Sequence, residues 1–394
     1  MRMAGILLFA LACWCGAALP GLSQTTPGGE GAAAQTGTGA ANADPEWPLA
    51  SVRVGVVLDG YYSLNFNRSS SRLNQLRNFD VSSHQFSLNM AKVVLDSPAE
   101  PLGFRMDLGF GGALDLIHGA ESSPHIMRHV LQAFATYRPA GAGGLTLDFG
   151  KFVTTAGAEV IETHRNWNYS RSLLFAWAIP YYHFGLRASL PLGRHFTGGL
   201  ALVNGWNNVE DNNTGKTFGF FGTLAGSRIS WAQSYYGGPE KSHVNRGWRH
   251  LYDTTVLLTP HSRAAMYLNF DYGKEGAAAV FREGAAAELA GGRWVGIAGA
   301  ARLEVNRWFA LAPRLEWFHD ADGFATGTPQ KLKELTLTGE LRLAPGVVTR
   351  VEFRRDWSNR PFFERGAGQP LSRQQSTVLV GLLACFGMNT RGQK

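Results

Sequence analysis

Arginine and acidic residues stand two positions apart in several stretches of this chain. Three such pairs are Arg105 and Asp107, Arg302 and Glu304, and Arg314 and Glu316. In an extended strand, side chains two positions apart point to the same side, so each pair would present a guanidinium and a carboxylate together. Groups of this kind bind ions, water and polar solutes, or pair with one another across neighbouring strands. The spacing therefore predicts a charged, hydrated face carried by strands.

Other patterns argue against catalysis, metal binding and nucleic-acid binding. The chain contains neither the Gly-x-Ser-x-Gly motif of a serine hydrolase nor the His-Glu-x-x-His motif of a zinc protease. His125 and His129 lie in a region of strand character, where a spacing of four keeps two imidazoles apart. Asp320 to Gly323 reads as an Asp/Gly turn, because the later ligands of a calcium loop are missing. The formal net charge is +7 without a run of five basic residues, so we expect no metal, cofactor or nucleic acid.

Apolar residues alternate with polar ones in long segments of the second half of the chain. From Tyr181 to Leu190 the even positions are apolar and the odd positions are small or polar. The same alternation recurs over residues 335–343 and 347–356, where the polar positions are largely charged. Such alternation is typical of a strand whose two faces meet different solvents. Its repetition predicts an all-β fold, a transmembrane β-barrel with lipid outside and water inside.

The connections between these strands alternate between two classes. Short ones such as 345–346 contain Pro, Gly, Asn or Ser, as tight turns require, whereas long polar ones include 67–79 and 154–179. Short periplasmic turns opposite long external loops are expected of an antiparallel up-and-down barrel in the outer membrane. Eight long loops predict about sixteen strands, one of them over 101–115. The range is roughly fourteen to eighteen, because predicted strand boundaries carry errors of about two to four residues and residues 277–290 have room for another strand. A barrel of about sixteen strands leaves an aqueous lumen.

The alternation places thirteen charged side chains on the inward face, and we call them the charged wall. They are Arg105, Asp107, Arg187, Arg302, Glu304, Arg314, Glu316, Glu340, Arg342, Arg350, Glu352, Arg354 and Asp356. A charged side chain on the lipid face costs roughly 2–4 kcal/mol near the membrane midplane, which favours the inward orientation. Two roles are open for these residues. They line the pore and set the field that a solute meets, or they pair across strands and stiffen the wall.

The longest internal loop, 154–179, combines a polar first part with an apolar final third. Leu173, Phe175 and Trp177 make that final third too apolar for a freely solvated loop. We expect the loop to fold into the lumen as a constriction, and packing over the mouth as a lid is the alternative. The polar residues of this predicted constriction are Glu159, Glu162, His164, Arg165, Asn168 and Arg171.

The N-terminus has the features of an export signal. Residues 1–23 combine Arg2, an apolar stretch and a small-residue cleavage site before Gln24, which is typical of a secretory signal peptide. Residues 24–48 are rich in Gly, Ala, Thr and Pro, and we expect a flexible periplasmic leader there. The outer-membrane β-barrel domain is predicted over residues 49–394.

Short motifs, in order along the chain, are similar to those of a known family. They are Phe149-Gly150-Lys151-Phe152, Gly157-Ala158-Glu159, Asn168-Tyr169-Ser170-Arg171-Ser172, Arg314-Leu315-Glu316-Trp317-Phe318 with Asp320 to Gly323, Leu335-Thr336-Leu337-Thr338, and Arg350-Val351-Glu352-Phe353-Arg354 with Asp356. On these motifs the sequence resembles the OmpL-like family of β-barrel porins over about residues 50–387. The resemblance implies an outer-membrane porin of a Gram-negative bacterium, with no catalytic residue or cofactor to carry over. Residues after Phe386 depart from the usual aromatic end of such barrels, and we expect the barrel-assembly machinery to tolerate them.

The barrel and the resemblance together predict a non-enzymatic porin for passive diffusion of small hydrophilic solutes or ions, narrowed by loop 154–179. Its partners would be outer-membrane lipid, the permeating solute and the barrel-assembly machinery. A homo-oligomer is one option, since porins commonly trimerise, and the sequence leaves monomer and trimer both open. Two alternatives remain, an outer-membrane enzyme of the lipase or protease type and a plugged barrel serving as an adhesin or anchor. The sequence pattern favours neither cations nor anions.

Overall fold

The computed structural model describes residues 52–99, 101–119, 121, 125–282 and 285–387. The signal peptide predicted over 1–23 and the leader predicted over 24–48 lie outside the described residues. None of the helices in the described part of the chain has the length and apolar character of a membrane span.

Sixteen antiparallel strands close into one barrel, which confirms the predicted strand number. The strands of the described residues, in chain order, are β1 (Arg53–Asn65), β2 (Phe86–Ser97), β3 (Leu102–Phe110), β4 (Val130–Tyr137), β5 (Thr146–Val153), β6 (Tyr182–Pro191), β7 (Phe196–Val203), β8 (Thr217–Ala225), β9 (Ile229–Gly238), β10 (Arg249–His261), β11 (Ala264–Glu275), β12 (Ala278–Arg282), β13 (Ala285–Leu289), β14 (Gly292–Glu304), β15 (Phe309–Asp320), β16 (Gln330–Ala344), β17 (Val347–Ser358) and β18 (Gln374–Phe386). Each barrel strand pairs with the next along the chain, β11 pairs with β14, and β18 pairs with β1 to close the ring. The remaining two strands, β12 and β13, form a separate hairpin.

The two faces of the barrel wall alternate in exposure along each strand. In β18, Leu382 is 53% exposed whereas Leu383 is 1% exposed, and in β1, Leu58 is 44% exposed whereas Asp59 is 2% exposed. The exposed side chains along the strands are largely apolar, and many of the buried ones are charged or polar. This inversion of the usual soluble arrangement is what a barrel requires when lipid surrounds it.

The connections fall into the two predicted classes, at opposite ends of the barrel. The short turns span 98–101, 138–145, 192–195, 226–228, 262–263, 305–308 and 345–346. The long loops span 66–85, 111–129, 154–181, 204–216, 239–248, 276–291, 321–329 and 359–373. The loop over 154–181 contains a 3-10 turn, Thr163–Arg165, and a short helix, Leu173–Trp177. We call residues 154–181 the crossing segment.

Two details of the predicted strands were wrong. The strand predicted over 101–115 ends at Phe110, and a short helix, α1 (Gly112–Ile117), follows it. Gly111 has φ +123°, which ends the strand, and Leu114 and Ile117 then bury one helical face, because residues three apart share a side. The second detail is the extra strand considered for 277–290. That region holds the β12–β13 hairpin, which adds no strand to the barrel.

Two glycines face each other where the crossing segment leaves the wall. Gly150 in β5 pairs with Gly185 in β6, and their φ angles are +133° and +156°. A Cβ atom on Gly150 would lie 2.3 Å from the carbonyl oxygen of Ala133, and one on Gly185 would lie 2.3 Å from that of Leu202. The wall therefore requires glycine at both positions, for backbone angle and for space.

We predict that Gly150→Ala lowers the free energy of unfolding by more than about 2 kcal/mol, because backbone strain and the clash with Ala133 add. Gly141→Ala is the matched control, since Gly141 also has a positive φ but a Cβ there would meet nothing within 4 Å. Its expected cost is about 1 kcal/mol. Urea unfolding in lipid vesicles measures both, and equal costs would contradict the packing argument.

Candidate functional site

The crossing segment reaches from one side of the barrel to the other. It leaves β5 and returns at β6, and β16 lies eight strands from β6 in either direction around the ring. Asn168 of the segment nevertheless donates a hydrogen bond from its Nδ2 to Thr338 Oγ1 on β16, at 2.8 Å. Tyr169 donates its hydroxyl proton to Asp59 Oδ1 on β1, at 2.5 Å. The segment is therefore anchored to the inner faces of β16, half a ring away, and of β1, four strands from β5.

Arginines of β15 and β17 donate to the backbone carbonyls of the crossing segment. Arg350 donates from Nη1 to the carbonyl oxygens of Thr163 and Asn168, at 2.8 and 3.0 Å, and from Nη2 to that of Asn166, at 2.6 Å. Arg314 Nη1 donates to the carbonyl oxygen of Ser170 at 2.8 Å. Arg354 Nη1 donates likewise to that of Arg171 at 2.5 Å. Buried carbonyls outside regular secondary structure need such donors, because water does not reach them.

Carboxylates of the same strands accept from the amides of the crossing segment. Glu352 accepts from the backbone amides of Tyr169 and Ser170, at 2.6 and 3.0 Å. Glu316 Oε2 accepts from the amide of Leu173 at 2.7 Å. Hydrogen bonds to a charged group are roughly twice as strong as neutral ones. The alternating arginines and glutamates of the wall thus bind both the carbonyl oxygens and the amide groups of the segment's backbone.

Ion pairs add to this attachment from both sides of the lumen. Arg314 Nη1 lies 2.7 Å from Glu159 Oε1 of the crossing segment. Lys92 Nζ of β2 lies 2.6 Å from Glu162 Oε1 and 2.8 Å from Asp107 Oδ2. All of these side chains are buried. Breaking one partner of a buried pair leaves an uncompensated charge, so each pair resists displacement of the segment.

The apolar third of the crossing segment is packed rather than solvated. Leu173, Leu174 and Phe175 are buried in the short helix α2 (Leu173–Trp177), whose N-cap is the Ser172 hydroxyl, accepting from the Phe175 amide at 2.9 Å. Trp294 of β14 donates from Nε1 to the carbonyl oxygen of Ala178 at 3.0 Å. Apolar burial and backbone hydrogen bonds therefore hold the segment together.

Two titratable residues of the crossing segment each keep a single protonation state near neutral pH. Burial alone would raise the pKa of Glu162, but the Lys92 ammonium outweighs it and lowers that pKa to about 2. Burial lowers the pKa of His164 to about 4, so its imidazole is neutral at pH 7. Both folded pKa values lie below the ordinary ones, so their contribution to holding the segment is complete at neutral pH. It falls between the ordinary pKa of 6.5 and about 4 for His164, and between the ordinary pKa of 4.5 and about 2 for Glu162.

The structure divides the predicted charged wall into two groups. The first group is buried, and most of it contacts the crossing segment or an arginine that does. Its members are Asp107, Arg314, Glu316, Glu340, Arg350, Glu352, Arg354 and Asp356. The second group keeps part of each side chain exposed, between 17% and 33%. Its members are Arg105, Arg187, Arg302, Glu304 and Arg342, and a role in lining the pore remains a prediction for them.

The residues predicted in loop 154–179 also separate by exposure. Glu159, Glu162, Asn168 and Arg171 are buried among the anchoring contacts, and His164 is half-buried. Arg171 braces the segment internally, donating from Nη1 to the carbonyl oxygen of Tyr169 at 2.5 Å and from Nε to that of Val160 at 2.9 Å. Arg165 differs, because its side chain is exposed and makes no ion pair with any described residue.

Sequence reasoning missed several charged residues of the inner face, and four of them illustrate why. Asp59 and Lys92 anchor the crossing segment, and each is a lone charge in an otherwise apolar stretch, a signal that could have found them. Asp253 and Asp271 stand directly opposite each other on β10 and β11, and both are buried. Period-two counting along both strands would have placed them inward. Among the described residues, no group of three or more His, Cys, Asp or Glu is arranged to hold a metal ion.

A family model described as "Putative beta-barrel porin-2, OmpL-like" matches residues 51–386. The chain belongs to this family. The OmpL-like porin is therefore a protein of the Gram-negative outer membrane, in agreement with the resemblance seen in its motifs. No curated protein matches its sequence.

Solved outer-membrane proteins share the fold of this porin at low sequence identity. The outer membrane channel DcaP of Acinetobacter baumannii is 9% identical with a TM-score of 0.56, covering 85% of this chain and 97% of its own. The anion-selective porin from Comamonas acidovorans is 11% identical with a TM-score of 0.55, covering 85% and 99%. OmpT of Vibrio cholerae, in a trimer form, is 10% identical with a TM-score of 0.54, covering 85% and 99%. At these identities the likeness concerns the fold alone.

We predict that Glu352→Gln loosens the crossing segment, because the amide side chain cannot accept from Tyr169 and Ser170 together. Each lost bond to a charged acceptor is worth about 1.5–3 kcal/mol. Amide hydrogen exchange in peptides covering 163–172 should therefore accelerate at least about tenfold. Glu304→Gln is the control, since Glu304 bonds only to wall arginines. Unchanged exchange in the Glu352 variant would show that the segment is held by packing alone.

Proposed function

We propose that this porin forms a water-filled channel for passive diffusion of small hydrophilic solutes or ions, and that the crossing segment narrows it. The observation that carries the proposal is the hydrogen bond between Asn168 and Thr338, which joins points half a barrel apart. A barrel of about sixteen strands is too wide for its own side chains to fill. A segment held across such a lumen reduces the cross-section of the passage without blocking a barrel of this width.

The exposure of inward side chains indicates where the remaining passage runs. Those of β15 and β17 beside the crossing segment are buried, whereas Thr223, Ala232 and Thr255, on β8, β9 and β10, are partly exposed. These are small and uncharged. The exposed arginines of the charged wall, Arg187 and Arg302 among them, lie on other strands of the same lumen. We infer a passage with small neutral side chains on one side and arginines on the other.

We further propose that the porin is a homo-oligomer and has no enzymatic activity. The trimer form in which OmpT of Vibrio cholerae has been solved supports the first statement, because that barrel has the same fold. Family membership and the absence of hydrolase motifs from the sequence support the second. Native mass spectrometry of the detergent-solubilised protein counts the copies, and hydrolysis of ester or peptide substrates that is lost on a Ser or His substitution would contradict the second.

We predict discrete conductance steps when the purified porin is added to planar lipid bilayers. Arg350→Gln should give larger steps and admit larger sugars in liposome swelling, because three hydrogen bonds to the crossing segment are lost. Arg246→Gln, in the exposed loop 239–248, is the control and should leave both unchanged. Wild-type protein without conductance steps or sugar uptake would instead support the plugged-barrel alternative.

A further inference from the structure

Arginines concentrate at the end of the barrel that carries the short turns. Five of these turns each contain one exposed arginine. These residues are Arg138, Arg194, Arg228, Arg263 and Arg307. Among the described residues of the short turns there is no Asp or Glu; Glu100 lies in the turn 98–101, outside that described set. The long loops at the other end contain both signs, including Asp211, Glu240 and Glu364.

The same excess continues inside the lumen, in the half next to the short turns. Arg302 and Arg342 each lie two residues before the end of a strand, and Arg105 lies three residues after the start of one. Their carboxylate partners are mostly more deeply buried. Asp107, for example, is 0% exposed where Arg105 is 28% exposed. Arg105, and Arg342 with both of its partners, therefore present the guanidinium to the water-filled space with the carboxylate behind it, whereas in the Arg302–Glu304 pair the carboxylate is the more exposed group, at 27% against 17%.

A count of the inward charges in this half gives a positive balance. Side chains exposed by a tenth or more include six cations, Arg53, Arg105, Arg165, Arg187, Arg302 and Arg342, against three acids, Asp96, Asp148 and Glu304. The inward positions of the strands that complete the ring here include Thr223, Ala232 and Thr255, which are uncharged. Among the described residues of β8, β9 and β10 the one acid is Asp253, which is 1% exposed and lies in the half of β10 next to the long loops. The positive side of the passage therefore faces no exposed acid on these strands.

Arg165 is placed by the crossing segment next to this group of arginines. It ends the 3-10 turn Thr163–Arg165, and Arg350 binds the carbonyl oxygens on both sides of it, at Thr163 and Asn166. Arg350 in turn lies 2.8 Å from Glu340, and Glu340 lies 2.5 Å from Arg302. The exposed Arg165 thus lies beside the arginine side of the lumen and makes no ion pair with any described residue, since the nearby Glu162 is buried and paired with Lys92.

We infer that the channel prefers small anions, inorganic ones and solutes bearing a carboxylate or phosphate, and that Arg165 contributes most among single residues. The inference rests on the proposed channel function. A narrow passage with charges of one sign and low-dielectric walls concentrates counter-ions and repels co-ions. The turn arginines extend the same field to the periplasmic mouth, where they raise the local concentration of anions over about one Debye length, roughly 8–10 Å.

The test is the reversal potential of the porin in planar bilayers under a potassium chloride gradient. The sign should report a chloride permeability above that of potassium. Arg165→Gln should lower the chloride-to-potassium ratio by about twofold, which is the combined effect on both ions of one charge at roughly 10 Å through water at about 0.1 M salt, and Arg165→Glu should lower it further. Arg165→Lys should restore the wild-type ratio, which separates charge from structural damage. Arg246→Gln in the outer loop removes the same charge elsewhere and should change nothing.

The outcomes distinguish this inference from the function on which it rests. Conductance steps with a preference for potassium, or a ratio unaltered by Arg165→Glu, would overturn the anion preference and leave the channel intact. The absence of conductance steps would overturn both the channel function and the anion preference. The double variant Arg263→Gln and Arg307→Gln tests the mouth separately, and should reduce the asymmetry of current between the two voltage signs. An unchanged asymmetry would overturn the role given to the turns.

Discussion

The architecture depends on a constraint of hydrogen bonding: a segment without a regular ladder, placed inside a barrel, must find partners for its buried peptide groups. In this porin those partners are charged side chains of β15 and β17. Arg350 donates to three carbonyls, and Glu352 accepts from two consecutive amides. These partners are alternate residues of paired strands, so the distances between them are fixed. The crossing segment that they bind is therefore held rigidly as well. A loop that lacked them would have to leave the lumen for water.

The same charged wall serves two purposes, and burial decides which. Where the crossing segment covers the charged wall, its arginines and glutamates bind the backbone of the segment or form ion pairs. These residues therefore stabilise the segment and fix its position. Where the wall is uncovered, as at Arg187 and Arg342, the guanidinium remains partly exposed. The buried members of the set therefore have the structural role left open by the alternating pattern, and the pore-lining role is proposed for the exposed members. The boundary between them follows the path of the crossing segment.

Charge is also distributed unequally along the barrel axis. The short turns carry arginine at one end, while the long loops at the other end carry both signs. Short turns have little room for acidic side chains that would neutralise an arginine. The positive charge of each turn arginine is therefore felt in the adjoining water. Together with the exposed lumen arginines this makes one mouth more positive than the other, a property of the assembled ring that no single turn has.

The strands, their number and the two classes of connection followed from the sequence, because alternation at period two is a local property that lipid enforces on every strand. The inward direction of Arg314, Arg350 and Glu352 followed from the same rule. Their burial did not, since it depends on a segment that starts half a barrel away and on which carbonyls it presents. Helix α1 escaped prediction for a similar reason. It follows Gly111, where a Cβ atom would lie 2.6 Å from the carbonyl oxygen of Asn89 on the neighbouring strand, a contact that the local pattern does not contain. The local pattern determined which face of the barrel wall each residue occupies. Only the closed ring decided which inward charges contact the backbone of the crossing segment and which remain exposed to water.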